Sequence, residues 1–157
     1  MRRAAAARLG ALLLSACLLA AAVRAAGADP VDARRVVALT NESRRQAGLP
    51  PVTVDDRLMA AARAKLFDML KQDYFDHRTP DGRQPWAFMQ AAGYRFQAAA
   101  ENLAKGYDDG PELQRAWMKS RGHRANILNP LFTEIGVADA NGIVVVMFGR
   151  PAPPPRR

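Results

Sequence analysis

Two β-rich runs joined by Asn-Gly end the ordered part of this sequence, and they constrain the fold more than any other feature. Residues 133–140 (TEIGVADA) and residues 143–148 (IVVVMF) flank Asn141-Gly142. Such a pattern predicts a tight β-hairpin, because both central residues of the favoured turn need a positive φ angle. The second run is almost entirely apolar, so we expect its strand to be covered on both faces.

Helical patterns dominate the chain before this hairpin. Apolar residues recur there at the three- and four-residue spacing of amphipathic helices. The predicted elements are a helix from Asp29-Pro30 to Gly48, a helix from the N-cap Asp55 to about Gln72, a short helix over about Gln84–Ala92, a loop or short strand over Ala98–Tyr107, and a helix opened by Asp109 and Glu112. Helices followed by a hairpin predict an α+β fold, in which helices pack on an antiparallel sheet.

Residues 1–28 have the three-part layout of a secretory signal peptide. Basic residues (Arg2, Arg3, Arg8) precede the apolar run 11–23, and Ala26-Gly27-Ala28 supplies the small residues of a cleavage site. The run is shorter than the ~20 residues that a membrane span requires. We therefore expect an exported protein, periplasmic or secreted, with no transmembrane span in the mature chain.

The only cysteine, Cys17, lies inside this leader. Leu14-Ser15-Ala16-Cys17 resembles a lipobox, so a lipoprotein anchored through Cys17 is the alternative. Ordinary cleavage is favoured, because the apolar run continues past the cysteine. With either cut the mature chain has no disulfide, and roughly 120 residues can bury a sufficient core as a monomer.

The net charge of +8 does not indicate a nucleic-acid partner. Half of it comes from four arginines of the predicted leader, and the other basic residues are scattered along the chain. Residues 151–157 (PAPPPRR) are predicted to be a tail that does not join the sheet, because prolines cannot donate to a strand ladder.

Two histidines and two glutamates are the candidates for chemistry. His77 and His123 are the only histidines, and each is predicted at the end of an element. Either one alone is more often a surface or structural residue. Glu101 lies among small and apolar residues, so it is expected to be buried and to need a partner, for which a histidine is the natural candidate. Glu134 opens the hairpin as a strand-end charge or a second acid. No motif of a known hydrolase, phosphate loop or zinc ribbon is present, so no catalytic residue is assigned.

Taken in order, six segments resemble the CAP superfamily of cysteine-rich secretory, antigen 5 and pathogenesis-related proteins, in its bacterial, disulfide-free SCP-domain branch. The resemblance covers residues 33–150, nearly the whole mature chain. The segments are LTNESR (39–44) with Gly48-Leu49, Leu58 with AARA (61–64), FDHRTPDG (75–82), AENLA (100–104), AWMKSRGHRANIL (116–128) and FTEIGV (132–137). One departure is Lys65-Leu66, where bacterial relatives often have His-Ser.

The resemblance implies a three-layer α-β-α sandwich with a cleft in which two histidines and two glutamates can hold a divalent metal, often zinc. His77, Glu101 and His123 match three of these positions, and the histidines are the expected metal ligands. Ser120 occupies the position of the second glutamate, for which Glu134 is a substitute candidate.

Three functional hypotheses follow from this resemblance. The first is an exported domain of the cell envelope that binds a metal and a small ligand, lipid or envelope-derived. The second is a metal-dependent hydrolase that acts on envelope peptide or peptidoglycan. The third is a protein-interaction domain whose cleft residues are purely structural.

Overall fold

The structure, a computed structural model, describes residues 31–153. The predicted signal peptide, with Cys17, and the last four residues of the predicted tail lie outside this range. The helices are α1 (Ala33–Gln46), α2 (Asp56–Gln72), α3 (Trp86–Ala91), α4 (Gly110–Lys119) and α5 (Arg121–Ile127), and the strands are β1 (Thr53–Val54), β2 (Phe96–Lys105), β3 (Glu134–Ala140) and β4 (Ile143–Pro151). None of these helices is both long enough and apolar enough to cross a membrane.

The four strands form one sheet in the order β1-β3-β4-β2. The predicted hairpin is confirmed: β3 and β4 pair antiparallel, and Asn141 and Gly142 have φ angles of 51° and 71°. β2 pairs antiparallel with the other side of β4. The two-residue β1, which the sequence did not predict, adds in parallel to β3. The expected antiparallel sheet is therefore correct for the three long strands and incomplete at β1.

Helices cover both faces of this sheet, which confirms the predicted α-β-α sandwich. Val145 and Met147 face α2 and α3, whereas Val146 and Phe148 face α1 and α4. Because residues 143–149 are all buried, the prediction that the last strand is covered on both faces is also confirmed. Alternate side chains of one strand thus contribute to two separate cores.

Two predicted boundaries are corrected by the structure. α1 begins at Ala33 and its N-cap is Asp32, whose carboxylate accepts a hydrogen bond of 2.8 Å from the Arg35 amide. The predicted opening residues, Asp29 and Pro30, lie outside the described range. The predicted tail begins too early, because Pro151 is the last residue of β4 and pairs with Phe96. A proline is tolerated at this strand end, where no further ladder bond depends on its missing N–H.

The largest correction concerns the Ala98–Tyr107 region, which was expected to be a loop or short strand. It contains most of β2, a ten-residue strand. Its alanines carry little intrinsic preference for a strand. The strand forms because it pairs with β4 along nearly its whole length, from Ala98–Arg150 to Lys105–Ile143.

Close backbone packing fixes α2 on the sheet. A side chain at Gly136 of β3 would place its Cβ atom 2.1 Å from the carbonyl carbon of Leu58 in α2. The Val137 amide donates to the sulfur of Met59 at 3.1 Å. The absence of a side chain at Gly136 therefore lets the helix lie directly against the strand.

A buried arginine joins the other helical layer to the chain after α5. Arg44 of α1 is fully buried, and its guanidinium donates to the carbonyl oxygens of Ile127, Asn129 and Phe132 at 2.9–3.0 Å. These bonds satisfy carbonyls at the C-terminal end of α5 and in the loop that enters β3. They hold α5, which carries His123, in a defined position.

Candidate functional site

A histidine–carboxylate pair forms the centre of the candidate site. His77 lies on the loop between α2 and α3, and Glu101 lies on β2. Nδ1 of His77 and Oε1 of Glu101 are 2.6 Å apart. The Glu101 side chain is 1% exposed, whereas that of His77 is 56% exposed. The buried carboxylate therefore accepts from the Nδ1–H group and leaves the opposite ring nitrogen, Nε2, as the one with a free lone pair.

Each member of this pair changes the titration of the other. The hydrogen bond to Glu101 raises the pKa of His77, because it stabilises the imidazolium form. Burial raises the pKa of Glu101, and the bond to His77 opposes that effect. Because the carboxylate stays close to a positive charge or a donor in either state, the pair tolerates burial that an isolated glutamate would not.

The second oxygen of Glu101 has no direct partner. Oε2 is buried and accepts no hydrogen bond from any group among residues 31–153. Electrostatic attraction from Lys65 stabilises the negative charge there. A buried carboxylate oxygen without a donor costs free energy, so it favours any bound species that can supply a proton or a positive charge.

Lys65 of α2 holds the loop that carries His77. The lysine is fully buried, and its Nζ donates to the carbonyl oxygens of Asp76 and His77 at 2.8 Å and to the Tyr74 hydroxyl at 3.1 Å. An ammonium has three protons, so these partners satisfy it completely. Burial lowers the pKa of Lys65, and the attraction of Glu101 opposes that shift. The departure noted in the sequence at Lys65 is therefore a structural support for the site.

His123 lies on α5, beside the same strand. Its ring centroid is 6.2 Å from that of Trp117, and its backbone carbonyl accepts from the side chain of Asn102 at 3.2 Å. Burial lowers the pKa of His123, and the positive charge of His77 lowers it further. The imidazole is therefore biased toward its neutral form, in which a ring nitrogen can bind a metal ion or accept a hydrogen bond.

Each histidine lines its own depression on the surface, and both depressions border β2. The His77 depression is lined by Gln84, Pro85, Trp86, Ala99, Glu101 and Asn126. The His123 depression is lined by Phe75, Leu103, Lys105, Tyr107, Trp117 and Ser120. Because the two meet the strand at successive positions, we refer to them together as the cleft.

Side chains from α4 and α5 cover the outer edge of β2 within the cleft. Asn126 donates to the Glu101 carbonyl at 3.3 Å and to the side chain of Asn102 at 2.8 Å. The indole of Trp117 donates to the Leu103 carbonyl at 3.2 Å. β2 has no strand neighbour on this side in the part of the chain that the structure describes. The two side chains therefore satisfy carbonyls that an edge strand would otherwise leave open.

The remaining predicted site residues are divided between the cleft and another part of the sheet. Ser120 lies in the His123 depression, between α4 and α5. Glu134 is two strands away from Glu101 and accepts a hydrogen bond of 2.5 Å from Tyr94. It lines neither depression. The structure thus brings Ser120 to the cleft with His77, Glu101 and His123, and it does not bring Glu134 there.

The imidazoles of His77 and His123 are the metal ligands expected from the sequence. Within residues 31–153, no three His, Cys, Asp or Glu side chains are grouped closely enough to hold an ion. His77 contacts Glu101 through Nδ1, which is the kind of support that metal-binding histidines usually have, and burial lowers the pKa of His123. Zinc binding at His77 and His123 stays a prediction.

Three residues that support the site were not identified from the sequence. Asn102 and Asn126 were noted only as parts of motifs, and Lys65 only as a departure. Lys65 did carry a signal, because it lies four residues from both Ala61 and Met69 on the buried face of α2. The asparagines could be assigned no role, since β2 was not recognised as a long strand with two distinct faces.

Comparisons with known proteins agree with this architecture. Residues 37–144 match the sequence profile described as "CAP: Cysteine-rich secretory protein family". The chain is 47% identical over 104 residues to the uncharacterized protein YkwD of Bacillus subtilis (strain 168). The aligned residues make up 66% of this chain and 40% of that protein. It is 32% identical over 104 residues to the uncharacterized membrane protein YlbC of the same organism, with 66% and 30% of the two chains covered. The chain therefore spans less than half the length of these curated relatives.

Two solved structures share the fold. An extracellular protein of Bacillus anthracis that contains an SCP domain has a TM-score of 0.71 at 31% identity, over 75% of this chain and 40% of that one. An outer surface protein of Borrelia burgdorferi has a TM-score of 0.69 at 21% identity, over 80% of this chain and 99% of that one. At 21% identity, the similarity to the Borrelia burgdorferi protein shows a shared fold.

Proposed function

The chain belongs to the cysteine-rich secretory protein (CAP) family, and from that premise we propose that it is an exported binding domain of the cell envelope. In this proposal His77 and His123 bind a divalent metal ion, zinc in the first instance, and the cleft beside them binds a small envelope-derived ligand. The observation that carries the proposal is the 2.6 Å contact between His77 and the buried carboxylate of Glu101. A buried carboxylate that orients an exposed imidazole is an arrangement suited to metal binding.

Export is supported by two kinds of observation. The sequence of residues 1–28 predicts a leader, and the solved structures of similar fold are described as an extracellular protein and an outer surface protein. Cleavage after Ala28, or lipid attachment at Cys17, is a testable part of the proposal. Mass spectrometry of the protein purified after export distinguishes the two by the mass of the N-terminal peptide.

In this proposal the residues of the cleft have different roles in binding. Glu101 fixes the tautomer of His77 and directs Nε2 outward, while Lys65 fixes the loop backbone beneath it. His123 contributes a second imidazole, whose pKa is lowered by burial. A bound metal ion would polarise an oxygen of the ligand or of a water molecule. The aromatic side chains of the His123 depression, Phe75, Tyr107 and Trp117, supply apolar contact for the remainder of the ligand.

Calorimetric titration with zinc tests this proposal. His77→Ala and His123→Ala should each remove most of the binding, and Glu101→Gln should weaken it by about 10- to 100-fold, as loss of a supporting hydrogen bond does in other metal sites. Glu134→Gln is the matched control, because that glutamate lies outside the cleft. Zinc affinity should also fall as pH decreases below ~7, since protons compete for both imidazoles.

Zinc binding and turnover of peptidoglycan fragments, measured on the same purified protein, distinguish the three functional hypotheses. Binding of zinc without turnover of peptidoglycan fragments supports the binding domain. Zinc-dependent turnover would replace that proposal with the hydrolase, in which the unpartnered Oε2 of Glu101 could accept a proton. Zinc affinity that is indifferent to both histidine substitutions, with no turnover, would leave the interaction domain.

A further inference from the structure

The outward face of α2 exposes apolar side chains that the fold does not use. Phe67 is 66% exposed and Leu70 is 37% exposed, although both lie within a regular helix. They form one wall of a shallow groove whose other side is the end of β3, including Val137 and Ala138. Adjoining apolar side chains that remain exposed with a polar border are typical of surfaces that bind a protein or a membrane.

Basic residues lie on both sides of this apolar centre. Arg63 and Lys71 are exposed and lie four residues before and four residues after Phe67, so the three share one row of the helix. On the same helix, the Asp68 carboxylate is already occupied by Gln72, Tyr74 and Arg83. Asp139, at the far rim of the groove, is the acidic residue that lines it. An apolar strip with a basic border is the pattern of helices that lie in the interface of an anionic bilayer.

The course of the chain places this face close to the membrane attachment of the lipoprotein alternative. Ala33, the first residue of α1, lines the groove, and the described chain begins two residues earlier at Val31. If the protein is lipidated at Cys17, thirteen residues separate the lipid from Val31. A linker of that length spans at most ~45 Å, even when fully extended. A domain tethered in this way would have the α2 face within reach of the bilayer.

We propose that the outer face of α2, formed by Arg63, Phe67, Leu70 and Lys71, docks on the surface of an anionic membrane. Phe67 and Leu70 enter the interfacial region, and Arg63 and Lys71 contact lipid phosphates. The proposal goes beyond the metal-binding cleft and does not depend on it, because the cleft borders β2, at the opposite edge of the sheet from β3 and β1.

Vesicle co-sedimentation tests this surface. The protein is purified after export with Cys17→Ser, so that no acyl chain contributes, and is mixed with vesicles of phosphatidylethanolamine and phosphatidylglycerol at 3:1 or of phosphatidylcholine alone. We expect binding to the anionic vesicles that weakens with salt. The double variant Phe67→Ser/Leu70→Ser should bind at least tenfold more weakly. Leu131→Ser is the matched control, since Leu131 is 49% exposed on the loop before β3. This variant should bind the anionic vesicles with an affinity within twofold of the parent.

A second pair of substitutions keeps the test decisive. Arg63→Gln/Lys71→Gln leaves the apolar residues in place and should weaken binding to anionic vesicles and reduce its dependence on salt. This pair decides the matter if the serine variant melts early. Absence of binding to anionic vesicles, or equal binding by the parent and the charge variant, overturns the proposal. The proposal is also overturned if the parent protein forms a dimer, the Phe67→Ser/Leu70→Ser variant does not, and neither of them binds vesicles. Zinc affinity should be the same in all these variants, which separates this result from that of the cleft.

Discussion

The packing of α2 against β3 makes Gly136→Ala a strong test of the fold. The added Cβ atom would lie 2.1 Å from the carbonyl carbon of Leu58 and 2.3 Å from the amide nitrogen of Met59. Nonbonded carbon atoms need about 3.5 Å, so the helix backbone would have to retreat by more than ~1 Å. Both neighbours are main-chain atoms, and a change of rotamer cannot relieve the contact.

The cost of that retreat follows from what α2 buries. Overpacking of a core costs about 1–3 kcal/mol when side chains can adjust, and more when they cannot. Leu58 and Ala62 are fully buried against the sheet and would lose contact as the helix moves. We therefore expect Gly136→Ala to reduce the free energy of unfolding by about 3 kcal/mol or more, which corresponds to roughly 10 °C in melting temperature for a domain of this size.

Urea unfolding followed by circular dichroism measures this loss. Gly122→Ala is the matched control, because nothing lies within 4 Å of its Cβ position and the residue is inside α5. That variant should be neutral or more stable by up to ~1 kcal/mol, as expected for alanine in a helix. A loss below about 1 kcal/mol in Gly136→Ala would refute the close contact between α2 and β3.

Three further predictions concern the His77–Glu101 pair, the Asn141-Gly142 turn and the buried Lys65. Because Glu101 raises the pKa of His77, the pair should stabilise the fold below about pH 6.5 and lose this contribution as pH rises through the raised value. Urea unfolding at pH 5.5 and 8 should show that His77→Gln loses more free energy of unfolding, relative to the parent, at pH 5.5, and an equal loss at both pH values would contradict the prediction. Replacing Asn141 and Gly142 with alanine should cost about 1–2 kcal/mol per residue, since both have positive φ, and an unchanged thermal melt would argue against the turn. Lys65→Met should cost about 1–3 kcal/mol, because it leaves the part-buried carbonyl groups of Asp76 and His77 without their donor. Lys65→Arg, which keeps the charge, should lose less stability, and no difference between the two variants would contradict the role of the ammonium.

The parts of the fold that depend on local sequence were predictable. The hairpin follows from Asn141-Gly142 between two β-rich runs, and the helix after Asp55 begins where its capping carboxylate accepts from the amides of Arg57 and Leu58. Each signal lies within a few residues of the structure that it specifies. Such signals do not depend on how the chain folds over longer distances.

β2 could not be predicted in the same way, because its formation depends on β4. The residues that pair, such as Glu101 with Met147, are between 38 and 55 positions apart in sequence. Alanine-rich sequence is neutral between a loop and a strand until a partner supplies the hydrogen bonds. The same reason explains why the two sides of β2, and hence the roles of Asn102 and Asn126, were not identified.

The candidate site was predicted through chemistry and resemblance more than through local pattern. The argument that a buried Glu101 needs a partner agrees with its contact to His77, 24 residues away. Sequence offered no means to place Glu134, because its position depends on the order of strands in the sheet. Its hydrogen bond to Tyr94 joins β3 to the loop before β2 and passes over Gly149 of β4, an arrangement that only the folded chain defines.

The covering of the outer edge of β2 affects how this domain behaves among other copies of itself. An edge strand with open carbonyl groups is a template on which a second chain can extend the sheet, and residues 31–153 contain no cysteine that could restrain such growth covalently. Asn126 and Trp117 occupy the carbonyls of Glu101 and Leu103. The helices that carry them therefore act as a barrier to polymerisation as well as a wall of the cleft. Partial release of α4 and α5 would expose a ready site for intermolecular strand addition while the rest of the sheet remained intact.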